Sequence, residues 1–176
     1  MMIDAPIELV EYDPQWPQQF LHERDILCNA LADWLVGLPE HIGSTAIPGL
    51  AAKPVIDIMA PVQSLEAAAA AIESAKRIGY LHFPYKPDVM HWFCKPSPDV
   101  RTHHLHLVPM GSRLWTERLA FRDALRASGE LSSRYAQLKR TLAVQYRNDR
   151  EAYTEAKTPF IAGVLREILG DRTRAV

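Results

Sequence analysis

The sequence predicts an α+β fold, with a mixed β-sheet of four to six strands, helices on one face of the sheet and further helices at the C-terminus. Up to about residue 110, short β-branched and aromatic runs alternate with glycine and proline turns, which is typical of strands. Beyond Gly111, three long segments carry apolar residues at helical spacing. We therefore expect an α/β core at 1–110 and a helical segment at 111–176 that packs on this core as one compact unit.

Each predicted element rests on its own local pattern. Runs rich in β-branched and aromatic residues between turn residues predict strands at 7–10, 40–43, 54–62, 80–83, 89–95 and 102–109. Apolar side chains that recur every three or four residues predict helices at 17–35, 65–78, 112–127, 131–146 and 151–169. Proline in the first turn supports the start of the first helix, and Ser64 is a suitable N-cap for the second.

The composition excludes several classes of protein. Hydrophobic residues make up 48% of the chain and charged residues 23%, which is typical of a globular domain and not of a disordered one. The formal net charge of −1 argues against nucleic acid as a partner. The N-terminus lacks the basic and apolar regions of a signal peptide, and no apolar run approaches the length of a membrane span. We expect a cytoplasmic protein that does not bind membranes.

The stretch from His41 to Met59 combines small residues, a lysine and a single acidic residue. Gly43, Gly49 and Lys53 superficially suit a phosphate-binding P-loop, which has the pattern G-x-x-x-x-G-K-[ST]. Three residues separate Gly49 from Lys53, however, and a proline follows the lysine where the metal-binding hydroxyl should be. The P-loop interpretation therefore fails, and the chain also lacks the G-x-G-x-x-G pattern of dinucleotide-binding folds.

The same stretch resembles the nucleotidyltransferase superfamily in its layout. A strand ends in Gly43-Ser44, and after a loop the next strand carries Asp57 between apolar residues. In that superfamily the glycine-serine turn approaches a triphosphate, and carboxylates on the adjacent strand hold divalent metal ions. Glycine lets the backbone come close to phosphate, and the hydroxyls of Ser44 and Thr45 can donate hydrogen bonds to it. The resemblance therefore implies phosphate contacts from Gly43, Ser44 and Thr45, and metal binding by Asp57.

Four segments are distinctive along most of the chain: HIGSTAIPGLAAKPVIDI at 41–58, HLHLV at 104–108, FRD at 121–123 and YTEAKTPFI at 153–161. In these segments the chain resembles the GrpB family, and the resemblance extends from Tyr12 to about Leu169. It implies a nucleotidyltransferase-like fold. It also implies a relation to a domain that is fused behind dephospho-CoA kinase in some bacteria.

One position departs from the superfamily pattern. Two residues after Asp57, on the same predicted strand face, Met59 stands where a second carboxylate is expected, and a thioether is a poor Mg²⁺ ligand. His104 and His106 are two residues apart, so their imidazoles should share one strand face, while His103 should point the other way. Asp57, His104 and His106 therefore predict a catalytic and metal-binding set for at most one divalent ion, with Zn²⁺, Mn²⁺ or Fe²⁺ favoured over Mg²⁺.

Further polar side chains are candidates for the same site. Expected phosphate-binding cations are Lys53, Lys95 and Arg101, and the helical segment adds Arg122, Lys139 and Lys157. His41 shares strand parity with Gly43, so it either lines the same cleft or is structural. Three aromatic side chains could stack on a base but also fit the core, namely Trp92, Trp115 and Phe121.

Two functional hypotheses follow from these residues. The first is a protein that binds a small nucleotide or another phosphorylated ligand and transfers a nucleotidyl or phosphoryl group to a small acceptor. The second is a non-catalytic binding or accessory module with a degenerate site, which Met59 favours. The polar residues that converge near Asp57 favour the first.

Overall fold

The protein, seen here as a computed structural model, is described from residue 6 to residue 170 and contains one five-stranded sheet. The strand order is β1-β2-β5-β4-β3. The strands are β1 (Glu40–Ile42), β2 (Ile56–Val62), β3 (Leu81–Phe83), β4 (His91–Pro96) and β5 (Arg101–Pro109). Strands β2 and β5 are parallel, whereas the other neighbouring pairs are antiparallel. The sheet is therefore mixed, and the predicted α+β class is confirmed.

Six helices accompany the sheet in the described part of the chain, together with a 3₁₀ turn at Ser44–Ala46. They are α1 (Trp16–Ala30), α2 (Ala71–Arg77), α3 (Arg113–Ala127), α4 (Gly129–Gln145), α5 (Arg150–Glu155) and α6 (Thr158–Leu169). Serine caps define two of the starts, because the side chain of Ser112 accepts a hydrogen bond from the Trp115 amide and that of Ser128 from the Leu131 amide. Within residues 6–170, no helix is long and apolar enough to cross a membrane.

Four elements differ from their prediction. The helix predicted at 17–35 ends at Ala30. Segment 7–10 forms an isolated bridge between Val10 and Ala52 instead of a strand. In segment 65–78, the backbone bonds of the amides at 69, 71, 72 and 73 span three residues instead of four, and the regular α-helix begins only at Ala71. The segment 151–169 is divided into α5 and α6 because Pro159 has no amide hydrogen to continue the helical ladder.

One face of the sheet is covered by α1 and α2. Leu27 and Leu31 from the α1 region and Ala71 and Ala75 from α2 are completely buried in this core. The sheet contributes the alternate residues that point toward these helices, which are Ile56, Ile58, Ala60, Val62, Phe93, Leu105 and Leu107. Burial of such side chains contributes about 1.5–3 kcal/mol each, so this layer is the main source of the folding free energy.

The opposite face carries Asp57, and α3 covers part of it. Met59 and Trp92 are buried here against Trp115 and Leu119 of α3. Two further apolar clusters connect α3, α4 and α6 to the loop after β1, and α4 and α5 to Ile7. The C-terminal helices thus contact the sheet and the loop after β1, while the division into a core and a helical segment at residue 110 stays a prediction.

Arg122 connects α3 to β1 through a nearly buried guanidinium. Its Nη1 atom donates to Glu40 Oε2 at 2.6 Å and to the His41 carbonyl at 3.1 Å, and its Nε atom donates to Asp123 Oδ1 at 2.8 Å. Burial by itself would lower the pKa of Arg122, but the hydrogen bonds and charges of Asp123 and Glu40 raise it. Arg122 is therefore a link between helix and sheet, and its Nη1 and Nε donors are used for this link and for Asp123.

This link predicts a loss of stability when Arg122 is replaced. Arg122→Met removes charge-assisted hydrogen bonds and should lower the free energy of unfolding in urea by about 1–3 kcal/mol. Arg113→Met on the same helix is the control, because the Arg113 side chain is 73% exposed and pairs with Glu117 one turn away. That change should cost less than about 0.5 kcal/mol. Equal losses in the two variants would show that Arg122 does not tie α3 to the sheet.

Candidate functional site

The parallel pairing of β2 with β5 brings Asp57, His104 and His106 together. Asp57 lies opposite His104, and Met59 lies opposite His106. Residues paired in this way share a face of the sheet, so the three side chains point to the side covered by the C-terminal helices. His103 lies opposite Ile56 on the other face. The predicted common face of the three residues is confirmed, and so is the opposite orientation of His103.

The three side chains are close enough to one another to hold a single ion together. His104 Nδ1 lies 2.8 Å from Asp57 Oδ1, and His106 Nε2 lies 3.6 Å from the same oxygen. One ligand atom from each residue can be chosen such that all three lie within 4.8 Å of one another. The Nε2 atoms of both histidines are buried and have no hydrogen-bond partner. Such orphaned imidazole nitrogens are rare in folded proteins, and a bound ion would satisfy them.

Burial and neighbouring charges shift the pKa values of Asp57 and His106 in opposite directions. Burial alone would raise the pKa of Asp57, but the adjacent His104 and His106 rings hold the pKa of the carboxyl well below its usual range. Burial lowers the pKa of His106, while the nearby Asp57 carboxylate opposes the shift. The other ring nitrogen of His106, Nδ1, lies 3.4 Å from the sulfur of Met90. Asp57 is therefore an ionised acceptor, and His106 is a neutral imidazole able to act as a ligand.

Met59 occupies the position of the missing second carboxylate. Its side chain is completely buried in the apolar cluster with Ile42, Met90 and Trp92. Met59 therefore lies beside His106 on the neighbouring strand and presents no oxygen ligand to the cleft.

Gly43 passes against Asp57 in a way that no other residue could. Its φ angle is +73°, and a Cβ atom added to it would lie 2.5 Å from Asp57 Oδ2 and 3.0 Å from Asp57 Cβ. The glycine thus serves both the left-handed backbone and the close approach of the turn to the carboxylate. Ser44 follows at the rim of the site, where it forms a hydrogen bond with the side chain of Tyr135 from α4.

Tyr135 was not singled out from the sequence. Burial raises the pKa of its phenol to about 12, and the nearby Arg118, Ser44 and Asp57 also influence it. Arg118, on α3, was missed as well. A helical pattern in the sequence does not tell which of its side chains will reach a strand on another element, so only the tertiary packing identifies these two residues.

Thr45 and His41 are not brought into the site. The Thr45 hydroxyl is buried and donates to the Val55 carbonyl at 3.0 Å, so it accepts from His41 Nε2, also at 3.0 Å. The His41 ring stacks on Phe20 with ring centroids 4.8 Å apart, and burial lowers its pKa to about 4. The prediction that Thr45 contacts phosphate is therefore wrong, because its hydroxyl is used to fix the loop before β2. Of the two roles expected for His41, lining the cleft or being structural, the structure favours the structural role.

Lys95 lies on the opposite face of the sheet. It is paired with His103, and its Nζ atom donates to Glu23 Oε1 at 2.6 Å. The Tyr80 hydroxyl donates to the same carboxylate oxygen at 2.9 Å, and the Glu23 side chain is almost fully buried. The prediction that Lys95 contacts phosphate is therefore also wrong, because its charge neutralises the buried Glu23 carboxylate on the α1 side.

Other predicted cations lie around the Asp57 face. The Arg101 guanidinium lies over the Trp92 ring at 5.4 Å, and this ring is 5.1 Å from that of His104. Lys53 and Lys157 lie over the ring of Tyr153 at 5.2 Å and 4.2 Å. The three candidate stacking residues, Trp92, Trp115 and Phe121, pack in apolar clusters.

The approach of Gly43 to Asp57 predicts a specific defect. Gly43→Ala places a methyl group against the carboxylate and should lower the free energy of unfolding and shift Asp57. Gly49→Ala is the matched control, because Gly49 has nearly the same φ angle, +76°, but nothing lies within 4 Å of its added Cβ. Each change should cost about 1–3 kcal/mol for the positive φ angle. Gly43→Ala should cost at least about 1 kcal/mol more for the overlap. Equal costs in urea unfolding would contradict the close approach.

Comparisons with known proteins place this chain in a family. The family described as GrpB protein matches residues 6–167. The chain is 38% identical over 173 residues to the UPF0157 protein PA4798 of Pseudomonas aeruginosa, a match that covers 94% of this chain and 69% of that protein. The crystal structure of conserved protein GrpB from Enterococcus faecalis is similar with a TM-score of 0.83 and 32% identity, and the match covers 93% of this chain and 98% of that one.

A more distant similarity extends to a larger protein. The chain is 30% identical over 187 residues to a dephospho-CoA kinase of Mycolicibacterium paratuberculosis, and the match covers 92% of this chain but only 46% of that protein. The similarity thus concerns a part of the kinase about as long as this chain. With the family match across almost the whole described chain, these findings establish that the chain belongs to the GrpB family.

Proposed function

We propose that this protein binds one divalent transition-metal ion and a small nucleotide or other phosphorylated ligand on the Asp57 face of the sheet. We further propose that it transfers a nucleotidyl or phosphoryl group from this ligand to a small acceptor. The observation that carries the proposal is the pair of buried histidine nitrogens without partners beside the ionised Asp57. Two imidazoles and a carboxylate are a ligand set suited to Zn²⁺, Mn²⁺ or Fe²⁺.

The side chains around this set suit an ion with an open coordination position. Three protein ligands leave at least one position for a ligand oxygen or water, which is the usual arrangement of catalytic sites. Gly43 allows the backbone close to the ion site, and the Ser44 hydroxyl would turn from Tyr135 to donate to a phosphate oxygen. The layout of the nucleotidyltransferase superfamily and the similarity to part of a dephospho-CoA kinase both support a nucleotide-like ligand.

Each residue has a separate role in the proposed reaction. A bound ion would supply charge stabilisation to the phosphoryl oxygens. Asp57 would hold it as an anionic ligand, and His104 and His106 would complete the set with neutral nitrogens. Ser44 and Arg118 would orient the phosphates by hydrogen bonds and charge. The α3 and α4 helices, through Trp115 and Tyr135, would limit the access of water to that face.

A second candidate function is a binding or accessory module without turnover. The buried Met59 favours it, because two-metal transfer normally needs a second carboxylate at this position. On this alternative the ion and the phosphorylated ligand would still bind, but no group would be transferred. The two candidates therefore share a binding site and differ only in chemistry.

The metal site predicts a defined stoichiometry. Protein purified without chelator and then dialysed against Mn²⁺ or Zn²⁺ should retain at most one ion per chain by elemental analysis. His104→Ala should weaken binding at least about 100-fold, since even indirect supporting residues of metal sites contribute 10- to 100-fold. The control is His103→Ala, a neighbour on the same strand that faces away. Two ions per chain, or an equal loss in both variants, would refute the proposed site.

Replacing Asp57 separates the two candidates. Asp57→Asn keeps the shape of the side chain and an acceptor for His104 but removes the charge that holds the ion. In a screen of labelled nucleoside triphosphates with Mn²⁺, an enzyme should show transfer or hydrolysis that falls by orders of magnitude per folded molecule in this variant. A module should show nucleotide-dependent stabilisation without turnover. The control is Asp88→Asn on an exposed turn. Unchanged metal binding in Asp57→Asn would refute both candidate functions.

A further inference from the structure

A cavity lies where the loop after β1 meets the junction of α3 and α4, and we call it the α3–α4 cavity. Its volume is about 420 Å³, which is within the range of about 300–1,000 Å³ that is usual for small-molecule sites. Ile47, Pro48 and Leu125 form its apolar wall. Ile47 and Leu125 are buried in one cluster with Tyr135, so the core holds this wall in place.

Two glycines leave space in the cavity unfilled. Gly49 and Gly129 both line it, and a Cβ atom added to either would meet no neighbouring atom within 4 Å. The φ angle of Gly49, +76°, accounts for the first glycine. Gly129 instead begins α4, where the backbone does not require glycine and most other residues have a higher helix propensity. The glycine at 129 therefore keeps the cavity open at a small cost to the helix.

The polar side of the cavity carries one positive charge. The Arg126 side chain is 40% exposed, and its Nε atom donates to the Ala46 carbonyl at 2.9 Å, which holds the guanidinium against the loop. Asp123 Oδ1 lies 3.9 Å from Arg126 Nη1, but this carboxylate is 58% exposed and accepts from Arg122 Nε at 2.8 Å. Of the described residues that line the cavity, none carries a carboxylate.

The guanidinium of Arg126 is incompletely compensated by its surroundings. Burial lowers the pKa of Arg126, and the positive charge of Arg122 acts in the same direction. Asp123 and Glu40 oppose the shift without cancelling it. A further anion at the guanidinium would therefore be favourable.

We propose that the α3–α4 cavity binds a small aliphatic carboxylate. The carboxylate would accept hydrogen bonds from Arg126, because the planar guanidinium fork matches its two oxygens and one cation balances one negative charge. The hydrocarbon part would lie against Ile47 and Leu125, and the hydroxyls of Ser132 and Ser133 offer further neutral partners. This site goes beyond the proposed function and does not depend on an ion at Asp57.

The test is an NMR titration of the ¹⁵N-labelled full chain with hexanoate, acetate and hexanamide. Hexanoate should shift the amide resonances of residues 47–49 and 125–133. It should bind at least about 10-fold more tightly than acetate, which lacks most of the apolar part. It should also bind about 10-fold more tightly than hexanamide, which has the same apolar part without the charge.

Two variants test the unfilled space and the charge separately. Gly129→Leu should weaken hexanoate binding at least about 10-fold and should still fold, because leucine favours a helix more than glycine does. The matched control is Gly163→Leu in α6, where an added Cβ also meets nothing within 4 Å but the residue does not line the cavity. Arg126→Gln should weaken hexanoate about 10-fold and leave hexanamide unchanged. Its control is Arg113→Gln, on the same helix.

Titrations with and without Zn²⁺ separate this inference from the proposed function. Equal hexanoate affinity in the two conditions supports an independent cavity, and it would do so even if Zn²⁺ failed to bind and the proposed function were refuted. Hexanoate binding that requires Zn²⁺ would overturn the inference, because the carboxylate would then be a ligand of the ion. Equal affinities in the two glycine variants, or for hexanoate and hexanamide, would overturn it as well while the metal site stands.

Discussion

The parallel register between β2 and β5 is the constraint on which the site depends. Because side chains alternate along a strand, the pairing of Asp57 with His104 also sets His106 and Met59 on the same face. A shift of one residue in β2 would turn the carboxylate toward α1, and a shift of one residue in β5 would replace the histidines by leucines. The apolar residues on the other face, buried under α1 and α2, prevent such a shift. The metal-binding geometry is thus maintained by packing on the opposite side of the sheet.

The C-terminal helices connect this register to the proposed ligand. They cover the Asp57 face through the apolar contacts of Trp115 and Leu119, and Arg122 links the first of them to β1. The same packing places Tyr135 beside Ser44 and the lysines beside Tyr153. A helical segment that is structurally needed to bury one face of a sheet therefore also supplies the cations of the site.

Strand periodicity predicted the centre of the site, whereas its surroundings depended on contacts between distant segments. The common face of Asp57, His104 and His106 follows from alternation once both segments are strands. The position of Lys95 depends on the register of β4 against β5, which local sequence does not specify. Thr45 was assigned to phosphate because hydroxyls in a glycine turn often bind it, but here the hydroxyl is used within the loop. Arg118 gave no local signal, because its influence on His106 and Tyr135 depends on how the helix packs.

The central claim is that Asp57, His104 and His106 hold one ion that binds a phosphorylated ligand. The most direct measurement is anomalous diffraction at the manganese edge from crystals grown with Mn²⁺ and pyrophosphate. The account predicts one anomalous peak per chain, bonded to a carboxylate oxygen of Asp57 and to both imidazoles, with pyrophosphate density between that peak and the turn at Gly43 and Ser44. A peak elsewhere, a second ion near Met59, or pyrophosphate on another surface would contradict it.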